Sequence, residues 1–111
     1  MVRMAKTLGE FEQLVLLALV RLGEEAYGVL VQEEIARRAR RTVGLGAVYK
    51  TLIRLEEKGL VASWAGEPSA QRGGRRKKHY RLLPAGVREL QRSLAALRGM
   101  TSGLTPQLDV R

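Results

Sequence analysis

The hydrophobic period of this sequence changes at Gly59, and no other feature narrows the fold as much. Before Gly59 apolar residues recur at spacings of three and four, as on helices. After it, Leu60 to Ala65 is short, apolar and partly β-branched, and Lys78 to Leu83 alternates, as strands do. Gly66 to Lys77 lies between them and is rich in Gly, Pro, Ser and Arg, which predicts a two-stranded hairpin with a long basic tip. Pro84 rules out further strand pairing and starts a last helix. The chain is therefore expected to be mainly α with one small β-hairpin, in the order helix, helix, helix, strand, loop, strand, helix.

Each helix carries one apolar stripe. In the first, Leu8, Phe11, Leu14, Val15, Ala18, Leu19 and Leu22 share a face, and Gly23 ends it. A second is expected from about Ala26 to Ala39, with Val29, Leu30 and Ile35 inward and the basic cluster Arg37, Arg38, Arg40 and Arg41 at its end, where cations suit the helix dipole. In the third, Leu45, Val48, Leu52 and Leu55 form the buried stripe while Ala47, Lys50, Thr51, Arg54 and Lys58 point elsewhere. Gly44 and Gly46 permit a tight entry turn and Gly59 closes this helix. On the last helix Val87, Leu90, Leu94 and Leu97 recur by three, four and three. That is close to a coiled-coil seam, and more apolar face than one small core needs, so pairing with a second copy is expected. The apolar start of the first helix, Leu8 and Phe11, would assist it.

Charge indicates the partner. Lys and Arg number 20 against 11 Asp and Glu, a net charge of +9, which points to a polyanion. The outward face of the third helix has small residues between cations and no acidic residue from Ala47 to Ile53, so it can approach a major groove. A solvated helix face has a similar composition. In the hairpin, Tyr80 and Leu82 are expected inward, Lys78 nearer the tip with its amine in solvent, and His79 and Arg81 on the opposite, exposed face.

The composition also excludes chemistry. With no Cys and a single His, neither a disulfide nor a thiolate or all-histidine zinc site can form, and no cofactor is expected. Glu56 and Glu57 are neighbours on a helix and do not face each other, so no catalytic pair is evident and the chain is not expected to be an enzyme. The longest apolar run, Leu14 to Val20, is too short to span a membrane and Met1 to Thr7 is no signal sequence, so a cytoplasmic protein is expected.

The predicted order is that of a winged helix-turn-helix. Three stretches then resemble the PadR family of bacterial regulators: Ala26-Tyr27-Gly28; Gly46 to Val61, which includes Val48-Tyr49, Arg54-Leu55-Glu56 and Gly59-Leu60-Val61; and Gly74 to Leu82. The likeness runs from about Leu8 to Leu97. It implies a repressor that dimerises through its C-terminal helix and that a small-molecule effector, of unknown chemistry here, releases from DNA in many members. Carried across, Gly44 to Lys58 is the recognition helix, and Ala47, Lys50, Thr51 and Arg54, which point away from its buried stripe, are expected to read base edges. Arg72 to Lys78 is the wing, with Arg72, Arg75, Arg76, Lys77 and Lys78 on the DNA backbone together with Tyr49. Read from spacing alone, Tyr49 pairs with Ile53 on the flank of the buried stripe and serves equally well as a structural ring.

Arg76, Leu83 and His79 depart from the residues usual in the family at those places, and the last helix lacks the aromatic residues with which some short members hold flat drugs. The expected layout is a flexible segment 1–7, a DNA-binding domain 8–83, a dimerisation helix 84–98 and a flexible tail 99–111. The rival reading is a winged helix that meets RNA or an acidic protein. One Trp, three Tyr and one Phe leave few rings to display to RNA bases.

Overall fold

A computed structural model describes residues 8–68 and 76–109, and the element order is the expected one with a 3-10 turn (Gly23–Glu25) and one short helix added. The expected flexible segment 1–7, the hairpin-tip cations Arg72 and Arg75, and the last two residues lie outside the described residues. Helix α1 (Glu10–Leu22) starts where the Gly9 N–H donates to Glu12 Oε1 at 2.9 Å. Val15, Ala18 and Leu19 are buried as the stripe predicts, yet Leu16, outside that stripe, is fully buried too. The cause is position: α1 touches α2, α3, α4 and the second strand, so its buried arc is wider than one face.

Helix α2 (Gly28–Arg38) begins two residues later than expected. Ala26 and Tyr27 are extended and lie along the hairpin, where the Tyr80 N–H donates to the Ala26 carbonyl at 3.1 Å and Tyr27 bridges to His79. The inward residues are Val31 and Ile35, whereas Val29 and Leu30 are half-buried, so the buried face is rotated from the expected one. Helix α3 (Leu45–Glu57) ends as its sequence requires. Gly59 takes φ +76°, its N–H donates to Glu56 O, and the Leu60 N–H donates to Leu55 O at 3.0 Å, with Leu55 and Leu60 both buried. Neither Gly44 nor Gly46 has a positive φ, so the entry turn does not need a glycine.

Strands β1 (Val61–Pro68) and β2 (Arg76–Leu82) pair antiparallel, with Val61 opposite Leu82, Ser63 opposite Tyr80 and Trp64 opposite His79. The register shifts between Ala65 and Pro68. Val61 and Tyr80 are buried against the helices and Leu82 partly so. Burial first, then the charges of Glu56 and Tyr49, push the Tyr80 phenol above its ordinary pKa of 10.0. Helix α4 (Pro84–Thr101) then crosses back, its entry fixed by the Leu83 N–H donating to Leu60 O at 2.9 Å. A Cβ on Gly86 would overlap the Leu60 carbonyl, so only glycine lets α4 lie this close. The helix continues past Arg98, and α5 (Thr105–Leu108) follows within what the sequence suggested was an aperiodic tail.

One buried charge fastens the two ends of the three-helix core. Glu12 accepts from Lys58 Nζ at 2.8 Å as well as from Gly9, tying the start of α1 to the end of α3. Burial alone would raise the Glu12 carboxyl, but the Lys58 and Gly9 hydrogen bonds and the Lys58 and Arg54 charges outweigh it and hold the group below its ordinary 4.5. Glu12→Gln is expected to lower the unfolding free energy by about 1 to 3 kcal/mol at pH 7, measured by urea denaturation. Because the folded value is depressed, the wild-type advantage is fully present above pH 4.5 and disappears as the pH falls through the lower folded value. Equal stability of the two proteins at pH 7 would show that the pair contributes nothing.

Candidate nucleic-acid interface

Helix α3 packs against both α1 and α2, which buries Val48, Thr51, Leu52 and Leu55 and leaves Leu45 half-buried. Going round the helix at about 100° per residue, the crest opposite this stripe is Gly46, Lys50, Ile53 and Glu57. Ala47 and Arg54 form one flank, and all six of these residues are exposed. Thr51 corrects the sequence reading: at 4% exposure it belongs to the core and cannot share a groove-facing surface with Lys50 and Arg54. Ile53 corrects it in the other direction. Its apolar side chain suggested the buried flank, yet it is 47% exposed near the middle of the crest.

Tyr49 occupies the other flank of α3 and is half-buried. Its ring lies on Gly28 at the start of α2, where a Cβ would come within 2.6 Å of both the ring edge and the hydroxyl oxygen. The Tyr27-Gly28 pair thus has a packing reason: Gly28 leaves room for the ring that joins α3 to α2. Next to it, Tyr27 carries Lys77 Nζ over its ring at 4.6 Å, a cation–π contact. Residues 27 and 28 therefore bring the base of the wing and the flank of α3 together.

Among the described wing residues Arg76, Lys77 and Lys78 are exposed, as expected, with Lys78 Nζ 5.7 Å from the Tyr80 ring centroid. His79 is not the exposed strand residue its position suggested. It is half-buried, stacked on Trp64 at 5.5 Å, edge-on to Tyr27 at 5.8 Å, with Nδ1 3.3 Å from the Ala26 carbonyl oxygen, a bond that needs the proton on Nδ1. Arg81 lies 5.8 Å over the other ring of this pair, Trp64. The stack holds the hairpin to the start of α2, a role legible only once the register sets Trp64 opposite His79.

The four arginines at the end of α2 and just beyond it are not equivalent. Glu34, buried on α2, accepts from Arg38 Nε at 2.7 Å and from Arg37, and these two bonds, Arg38 first, hold its carboxyl below the ordinary value. Arg41 pairs with Glu10 at 2.8 Å. Arg37, Arg38 and Arg41 therefore have carboxylate partners within the chain, which weakens their contribution to a positive surface, whereas Arg40 is exposed with no ion pair among the described residues.

The residues expected at a dimer seam divide. Leu90 is 6% exposed and Leu8 is also buried, so both are used in the chain's own core, and Phe11 and Leu94 pack partly against it. Val87 and Leu97 are exposed, and every residue from Ala95 to Met100 is exposed, Met100 at 77%. The second half of α4 stands clear of the body. Among the described residues no group of His, Asp or Glu could hold a metal ion, and no helix is long and apolar enough to cross a membrane.

The model of the transcriptional regulator PadR-like family matches residues 16–92. No curated protein matches the sequence. Among solved structures, a PadR family transcriptional regulator from Eggerthella lenta DSM 2243 is 28% identical, with a TM-score of 0.65 over 92% of this chain and 88% of the other. A PadR family regulator from Clostridium difficile R20291 is 24% identical, with a TM-score of 0.70 over 92% of this chain and all of the other (100%). Bacillus subtilis PadR, in complex with operator DNA, is 22% identical, with a TM-score of 0.64 over 77% of this chain and 46% of the other.

Proposed function

The chain belongs to the PadR-like family of transcriptional regulators, and from that premise we propose that it binds double-stranded DNA as a homodimer and represses from an inverted-repeat operator. The observation that carries this reading is the outward face of α3. Lys50 and Arg54 project there beside Gly46 and Ala47, with no acidic side chain until Glu57, and the basic strand start is linked to the flank of α3 through Tyr27, under Lys77, and Gly28, under Tyr49. The operator complex of the Bacillus subtilis relative supports the same partner for this chain. Two copies joined along the exposed half of α4 would present two such faces, and a two-fold axis matches a palindromic site.

Lys50 and Arg54 read base edges in this proposal, while Tyr49 and the wing cations contact phosphates. A lysine or arginine bonded to guanine contributes about 1 to 3 kcal/mol of discrimination. Lys50→Ala and Arg54→Ala are therefore expected to weaken binding to a selected duplex far more than to a scrambled one, measured side by side by fluorescence anisotropy. Equal weakening on both duplexes would reassign the two side chains to phosphate contact. A wild-type protein that selects no sequence would defeat the whole reading.

A further inference from the structure

Two residues on the crest of α3 are poorly suited to the helix and unused by the rest of the chain. Gly46 is the second residue of α3, in its first turn, where alanine would serve the helix at least as well. It has no positive φ, and a Cβ built on it would meet nothing within 4 Å, so neither backbone geometry nor packing requires glycine there. Ile53 is β-branched, a poorer helix former than the Lys, Glu or Ala that suit an exposed helix position. At 47% exposure it leaves much of its side chain in solvent. Lys50 lies between these two on the same crest.

We propose that this crest is shaped to enter a major groove, with Ile53 reading the 5-methyl group of a thymine and Gly46 leaving the backbone free to come close. The inference rests on the DNA-binding reading above and adds a specificity determinant to it. Thymine is the base that presents an apolar group in the major groove, and an aliphatic side chain is its matching contact. Ile53 follows Lys50 by three residues, about 4.5 Å along the helix axis, while successive bases on one strand are about 3.4 Å apart. The thymine is therefore expected one or two base pairs from the base that Lys50 contacts. With the crest bare at Gly46, no side chain at the start of the helix holds it off the groove floor.

The test uses the full chain and a randomised duplex pool. Wild-type protein first selects its site, and each thymine of the selected site is then replaced singly by deoxyuridine, which keeps Watson–Crick pairing and removes one methyl group. Replacement at one position per half-site is expected to weaken wild-type binding about fourfold, the value of one buried methyl-sized group. Ile53→Ala is expected to bind the thymine and deoxyuridine sites equally, with circular dichroism unchanged because the side chain is exposed. Deoxyuridine binding within error of thymine at every position of a site that wild type does select would overturn the inference while leaving DNA recognition intact. Methyl sensitivity that survives in Ile53→Ala would also overturn it, by assigning the contact to another side chain such as Ala47. Failure to select any site would instead be a failure of the parent reading.

Discussion

Leu97→Glu combined with Met100→Glu is expected to turn the protein into a folded monomer whose specific DNA binding is weaker by two orders of magnitude or more. Both side chains are exposed in one copy, Leu97 at 53% and Met100 at 77%, so the charges cost the isolated protomer little. In the proposed dimer they would face their own copies across a two-fold axis, where a buried unpaired charge costs several kcal/mol. Losing the second half-site removes the effective-concentration advantage of a linked pair, about 10²- to 10⁴-fold. Sedimentation reads the assembly, circular dichroism the fold and anisotropy the affinity. A variant that stays dimeric would place the interface elsewhere, and a monomer that keeps full specific affinity would remove the need for symmetry. Leu90 is unsuitable for this test because a charge there would enter the protomer's own core.

Replacing Arg76, Lys77 and Lys78 together with alanine is expected to weaken binding about a hundredfold or more at 0.1 M salt, on selected and scrambled duplexes alike, because phosphate contacts carry no sequence information. Removing one phosphate-bound cation flattens the slope of log affinity against log salt by about 0.9, so the slope of the triple variant should be shallower by up to about 2.7. A smaller change is expected from Lys77 alone, since its amine already sits over the Tyr27 ring. An unchanged slope would move the phosphate contacts to other cations, Arg40 foremost.

Most of the scaffold can be read from periodicity because short-range rules decide it. The Leu52 and Leu55 stripe, the Gly59 stop and the Pro84 start each depend on residues a turn apart, and each is where spacing predicts it. What spacing misses depends on partners distant in sequence. Leu16 is buried because α1 is surrounded, and the extended Ala26-Tyr27 follows hydrogen bonds to β2 more than fifty residues away. At Thr51 and Ile53 residue type is a misleading guide to burial. Contact with both α1 and α2 turns the buried arc toward a hydroxyl and away from an aliphatic chain. The cations of α3 and the wing are legible because a charged side chain without an acidic neighbour stays at the surface wherever the helix turns. The arginines at the end of α2 are legible in part: Glu34 precedes Arg37 and Arg38 by three and four residues on one helix, whereas the Glu10 partner of Arg41 becomes visible only in three dimensions.

Leu60 is a joint between two helices of different use. Its N–H closes α3 on Leu55, its carbonyl receives Leu83 at the entry to α4, and Gly86 rests on that same carbonyl. One residue thus ties the end of α3 directly to the entry of α4, and in the proposed dimer it lies on the path between the helix that would enter the groove and the helix that would join two copies. Leu90 and Leu94 also hold the first half of α4 on the core, so the arm that projects beyond it, from Leu94 to Met100, is only about 9 Å long. In the proposed dimer, a slip where two such arms meet would pass through the packed half of α4 and Leu60 to each α3. The spacing of the two α3 faces in that dimer would then be governed by the stiffness of this packed junction.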